Sequence, residues 1–209
     1  MDALVVSGFP LVRHGLRTLL EGSGLMANIA EASQRTEVLE AAQRLKFDII
    51  LLDQSLMMPS VIEIVERVRM RIRQTKMLVL CDRLDIYEVK CLLKAGASGV
   101  LMFNASMDEI AFSVRQLMCG ARYLSPVFSD ALACSALGQD DRLPHSLLSR
   151  REYQTLLLLG AGVRVTDIAK GMSLSVKTVS SYRSRILEKM NLRNNSEITL
   201  YLARNGFRI

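Results

Sequence analysis

The sequence has no apolar run approaching the roughly 18–20 uncharged residues that cross a bilayer, so no membrane partner is expected. Its only histidines are His14 and His145, and its cysteines, Cys81, Cys91, Cys119 and Cys134, form no C-x-x-C pair. That scatter argues against a zinc site or a disulfide framework and suits reduced thiols in the cytoplasm, the expected location. No basic stretch precedes the short apolar run Ala3-Leu4-Val5-Val6, so a secretory leader is not expected. Internal repeats, low-complexity tracts, a Gly-rich phosphate loop, a nucleophile elbow and a metal-ligand cluster are all missing. The expectation is therefore no enzyme, no metal and no cofactor.

What is present is 209 residues, 50% of them hydrophobic and 23% charged, enough for two ordinary globular domains and too apolar for disorder. The net charge of +6 is unevenly placed. Residues 1–143 carry 16 Lys and Arg against 17 Asp and Glu, a net of −1, whereas residues 144–209 carry 11 against 4, a net of +7. A near-neutral domain followed by a small basic one points to a polyanion partner for the tail.

Through the first 120 residues, strand-like apolar runs alternate with helical patterns. Ala3 to Val6 is the first strand, and Leu11 to Glu21 a helix with Leu11, Val12, Leu16, Leu19 and Leu20 on one stripe. Met26 to Ala32 and Thr36 to Leu45 form the next pair. Ile49-Ile50-Leu51-Leu52 is the clearest buried strand and ends at Asp53. Helix Ile62–Arg71, strand Met77–Leu80, helix Ile86–Ala95, a strand around Gly99-Val100-Leu101 and helix Met107–Cys119 complete the unit. Five strands alternating with five helices predict a doubly wound α/β domain with a five-stranded parallel sheet over residues 1–122. Residues 123–146 lack periodicity and contain Pro126, Gly138 and Pro144, which predicts a linker with one short helix near Ser129 to Leu137.

Residues 147–209 read as an all-α domain of four helices. Ser149 and Glu152 have capping-box spacing at the start of the first. A short helix covers Val165 to Lys170, Gly171-Met172-Ser173-Leu174 forms a turn, and Ser175 caps a longer helix from Val176 to about Met190. Ser196 is expected to cap the last helix, which Gly206 ends. Two helices joined by a short Gly-containing turn, the second basic, match the plan of a helix-turn-helix. Val179, Ile186 and Met190 fall on the core side of that second helix, which leaves Lys177, Ser180, Ser181, Arg183, Ser184 and Arg185 for the other faces. Cations there neutralise phosphates, and small hydroxyl residues let the helix approach base edges. The plain alternative is a helical bundle with a solvated basic face.

The segments Leu148-Ser149-Arg150-Arg151-Glu152, Asp167-Ile168-Ala169, Ser175-Val176-Lys177-Thr178-Val179 and Arg183-Ser184-Arg185-Ile186 resemble the LuxR-type helix-turn-helix. Phe9-Pro10-Leu11-Val12-Arg13, Leu51-Leu52-Asp53, Ala95-Gly96-Ala97-Ser98-Gly99 and Tyr123-Leu124-Ser125-Pro126 resemble a receiver domain. The whole chain thus resembles the NarL/FixJ family of bacterial response regulators. That resemblance implies a third tail helix in the major groove, with Ser180, Ser181 and Ser184 facing bases and Lys177, Thr178, Arg183 and Arg185 mainly holding the backbone. It also implies a fourth helix that helps two copies pair.

A working receiver in this family carries its phosphoryl group on an Asp after the third strand. An acidic pair holds Mg²⁺, a Ser or Thr senses the phosphate, and a Lys grips it. Asp53 stands at the acceptor position, but Ser7 and Gly8 replace the acidic pair, Cys81 replaces the Ser or Thr, and Phe103 replaces the Lys. Met57 stands where the following loop usually has Pro, and Phe9, Met57, Met58, Met102 and Phe103 would give the pocket an apolar rim. The reading is a bacterial transcription regulator with a degenerate receiver that acts without Asp53 phosphorylation. Its expected partners are promoter DNA and a second regulator, as a homodimer or a heterodimer with a relative. A conventional regulator phosphorylated on Asp53 and a partner-sequestering protein with weak DNA binding are the rivals.

Overall fold

The computed structural model describes residues 1–54, 61–83, 85–137 and 143–207, with the backbone alone at 43 and 44. The chain divides into two compact units, Met1–Gln139 and Asp140–Ile209.

The first unit alternates strands with helices. In order they are β1 (Asp2–Val6), α1 (Pro10–Gly22), β2 (Asn28–Ala32), α2 (Arg35–Arg44), β3 (Ile49–Asp53), α3 (Val61–Arg71), β4 (Lys76–Cys81), α4 (Ile86–Ala95), β5 (Gly99–Met102), α5 (Met107–Met118), β6 (Tyr123–Leu124) and α6 (Pro126–Ala136). All the pairings are parallel, in the order β2-β1-β3-β4-β5-β6. Apart from Asp2, Asp53 and Lys76 at strand ends, β1, β3 and β4 are apolar throughout because both faces of the sheet are covered. Ala3, Val5, Ile49, Leu51, Leu78, Leu80 and Leu101 meet Leu16 and Leu20 of α1 and Ile110, Val114 and Leu117 of α5. Leu4, Val6, Ile50, Leu52 and Val79 alternate with them, equally buried, toward the layer in which α2 packs on α3 and α3 on α4. Strand order reverses between β1 and β3, and the carboxyl ends of strands at such a reversal are the usual position of a site in this architecture.

The sheet has six strands where the sequence predicted five. Tyr123 and Leu124 pair with Gly99 and Val100, and two residues are too few to show a period. Gly99 makes this approach possible, because a Cβ there would lie 2.9 Å from the Tyr123 carbonyl oxygen. The linker expected over 123–146 holds β6 and the one helix expected in it, α6, which starts three residues before the expected Ser129. Pro126 starts α6, Phe128 is fully buried, and Lys90 of α4 donates to Ser135 of α6. Its Ala- and Ser-rich sequence offers no apolar stripe, so periodicity places its start less well than its existence. Gly138 and the run Asp140-Asp141-Arg142 lie outside the described residues.

The second unit has a 3₁₀ turn at Pro144–Leu147 and the helices α7 (Arg150–Gly160), α8 (Val165–Met172), α9 (Val176–Lys189) and α10 (Asn195–Arg204). Tyr153, Leu156, Ile168, Val179, Ile186, Ile198 and Leu202 are buried at its centre. His145, itself buried, shares a 2.7 Å hydrogen bond with the Tyr201 hydroxyl and packs against Tyr153 and Phe207. Two local expectations change. Gly171 lies inside α8, and the chain reverses instead at Ser173, whose φ of 56° is left-handed. Asn194, not Ser196, caps α10, its Oδ1 accepting the Glu197 N–H at 3.0 Å.

No helix among the described residues is long and apolar enough to cross a membrane.

Candidate functional site

Parallel pairing of Val6 with Leu52 brings Ser7 and Asp53 to the same edge of the sheet, just past β1 and at the end of β3. Ser7 Oγ donates to Asp53 Oδ2 at 2.6 Å, with Ser7 0% and Asp53 3% exposed. The Ser7 oxygen also accepts the Phe9 N–H at 3.1 Å, and Arg13 Nη1 donates to the Ser7 carbonyl at 2.8 Å. The β1–α1 loop is therefore tied down around a neutral hydroxyl. Gly8, exposed, adds no side chain.

Magnesium demands hard oxygen ligands, typically one or two carboxylates with waters and substrate oxygens. Ser7 and Gly8 supply one neutral hydroxyl, already engaged by Asp53. This donor set does not fit the Mg²⁺ implied by resemblance to a working receiver.

Cys81 ends β4 and is 2% exposed, and burial first, then Glu88 and Asp82, push its thiol well above the ordinary range. A buried, protonated thiol is a poor hydrogen-bond donor and a poor nucleophile. Phe103 follows β5, its N–H donating to the Cys81 carbonyl at 2.6 Å and its side chain partly exposed. Asp53, Cys81 and Phe103 thus stand at or just past the ends of three neighbouring strands, at one edge. Phe9 is half-exposed and Met102 half-buried, whereas Met57 and Met58 lie outside the described residues.

Sequence reasoning missed a polar network beside this edge. Gln54, directly after Asp53, accepts the Asp82 N–H at 3.1 Å and also hydrogen-bonds Glu88. Arg83 bridges Asp85 and Glu88 at 2.8 Å each, and Asp85 caps α4 by accepting the Glu88 N–H at 3.1 Å. Burial pushes the Glu88 carboxyl up to about 7, with Arg83 opposing and Asp85 adding to the rise. The Asp85-x-x-Glu88 spacing is a helix-start signal and was the available clue.

In the second unit, α9 is held from both ends. Ser175 Oγ accepts the Thr178 N–H at 3.0 Å and shares a 2.7 Å bond with the Thr178 hydroxyl. Near the other end, Lys189 Nζ donates to Glu152 Oε2 at 2.7 Å, joining α9 to the start of α7. Burial works against the Glu152 charge, but the bonds from Lys189 and Ser149 outweigh it and hold the carboxyl below its ordinary range. Lys177, Ser180, Ser181, Ser184 and Arg185 are all exposed, and Thr178 is half-buried in the cap. Arg183 is turned aside, its Nε donating to Asn195 Oδ1 of α10 at 2.7 Å. The exposed residues form one surface; Arg183 does not join it.

Residues 3–115 match the response regulator receiver domain, and residues 146–202 match the bacterial regulatory proteins of the luxR family. The chain belongs to the response-regulator family. It is 28% identical over 209 residues to the response regulator UvrY of Escherichia coli strain K12, covering 99% of this chain and 95% of that one. It is 32% identical over 212 residues to the response regulator GacA of Pseudomonas syringae pv. syringae strain B728a, covering 99% and 97%. RcsB from Salmonella enterica serovar Typhimurium, solved bound to promoter P1flhDC with phosphomimetic BeF3⁻, matches with a TM-score of 0.78 at 20% identity, over 98% of each chain. That likeness is one of fold. This two-component response regulator therefore keeps the family's architecture, with Ser7, Asp53, Cys81 and Phe103 gathered at the carboxyl edge of its sheet.

Proposed function

We propose that this response regulator binds double-stranded promoter DNA through α9, with residues 147–209 as the DNA-binding domain, and does so without phosphorylation of Asp53. The observation that carries the second clause is the buried Ser7–Asp53 hydrogen bond, which puts a neutral donor where a metal-holding acid is required. An added phosphoryl dianion would find the Phe103 ring where its counter-charge belongs. The first clause is supported by the net charge of +7 in residues 144–209 and by the capped helix α9, with Lys177 and Arg185 exposed on it. The Salmonella RcsB of the same fold is bound to promoter DNA, and another RcsB structure holds two dimers bound to two parallel DNAs.

The receiver domain, residues 1–122 in this reading, serves pairing with a second copy or with a related regulator. Helices α1 and α5 pack side by side and leave Leu11, Met107 and Phe112 exposed, apolar side chains that a symmetric contact would cover. The test is a salt series of full-chain binding to promoter duplex, paired with sedimentation of the unphosphorylated protein. Binding that weakens steeply with salt, by a dimer, supports the proposal. No duplex binding at low salt, or binding that appears only after phosphorylation, overturns it.

A further inference from the structure

We infer that Arg185 is the residue of α9 that reads a base, and that the base is guanine. The inference rests on the DNA-binding reading above and changes which side chains carry specificity. Helical spacing sets Lys177, Ser181, Ser184 and Glu188 along one exposed line of α9, with Ser180 and Arg185 on its flanks.

The serines on this surface have little left to read with. Ser181 Oγ donates to the Lys177 carbonyl at 3.0 Å, and Ser184 Oγ donates to the Ser180 carbonyl at 3.2 Å. Each thereby uses its one proton inside the helix and keeps only lone pairs for a base. Ser180 retains its hydroxyl, but on a side chain of a single carbon. Thr178 is committed to the cap and Arg183 to Asn195. The small serines do a different job: they leave the helix surface low, so its backbone can lie deep in the groove.

Two long donors remain on this surface, and neither has a side-chain partner among the described residues. Lys177 sits in the first turn, beside the unbonded amides of the helix start, where a phosphate is the natural ligand. Arg185 lies two turns further on, with low serines at positions 181 and 184 beside it. Its guanidinium is a planar fork, and guanine O6 and N7 present the matching pair of acceptors in the major groove. Glu188, a turn beyond, places a carboxylate that repels phosphate, so the part of α9 from Val176 to Arg185 is the part that enters.

The experiment is binding-site selection from random duplexes with the full-length wild type, Arg185→Ala, Arg185→Lys and Ser184→Ala. A salt series on unselected DNA accompanies each. The wild-type pool is expected to hold a fixed guanine in each half-site. Arg185→Ala is expected to lose it, with guanine discrimination at that position falling about tenfold or more. Arg185→Lys, which keeps the charge and loses the fork, is expected to show a larger drop in guanine preference than in affinity for unselected DNA. A guanine that survives in the Arg185→Ala pool, or one that disappears with Ser184→Ala instead, overturns the assignment while leaving DNA binding intact. Failure of the wild type to bind any duplex overturns both.

Discussion

Ser7 donates its hydroxyl to the carboxylate of Asp53 at 2.6 Å, and neither side chain is open to solvent. The bond spans the ends of two adjacent parallel strands. It means that the residue at the acceptor position is already satisfied by a group the protein carries.

Removing that donor should be costly for the fold. Ser7→Ala leaves a buried carboxylate short of one hydrogen bond, which is worth about 1.5–3 kcal/mol when the acceptor is charged. The check is the urea unfolding of the full chain followed by far-ultraviolet circular dichroism, beside the wild type. A change below a few tenths of a kcal/mol would show that Asp53 finds another donor at no cost.

Glu88 gives the first unit a pH dependence of definite sign. Its carboxyl rises from an ordinary 4.5 to about 7 in the folded chain, chiefly through burial. The folded state then binds the proton more tightly than the unfolded state between those values. Stability from this group is complete below about pH 4.5 and is lost as pH rises through about 7. Melting temperatures across pH 5–8 should therefore fall less steeply in Glu88→Gln than in the wild type. Parallel profiles for the two proteins would contradict the burial-driven rise.

Lys177 and Arg183 should separate on the salt axis. Lys177→Ala is expected to weaken binding to all duplexes alike and to lower the salt slope by about one phosphate contact. Arg183→Ala removes the bond to Asn195 and should lower the melting temperature of the second unit instead, with the slope unchanged. An Arg183→Ala protein with full stability and a reduced slope would place that guanidinium on DNA.

These contrasts also mark what the sequence made legible. The runs Ala3–Val6 and Ile49–Leu52 announce two-sided burial because every residue is apolar, so the doubly wound sheet is readable without its partners. The identities at 7, 8, 81 and 103 are readable too, since each residue closes or follows a strand. The hydrogen bond between Ser7 and Asp53 is not, because 46 residues separate them and only the β1–β3 register brings them together. Strand β6 was hidden by its two-residue length, and Arg183 by a partner on the next helix. The left-handed Ser173 had no glycine to announce it: the nearby Gly171 drew the turn two residues too early.

The most direct test of whether this regulator works without Asp53 chemistry is intact-mass analysis coupled to DNA affinity. Full-length protein is incubated with a small-molecule phosphodonor and Mg²⁺, and both quantities are read on the same sample beside Asp53→Ala. The expected result is no added phosphoryl mass and the same affinity for promoter duplex in all samples. A stable phosphoryl adduct on Asp53, accompanied by tighter DNA binding that Asp53→Ala abolishes, would contradict it.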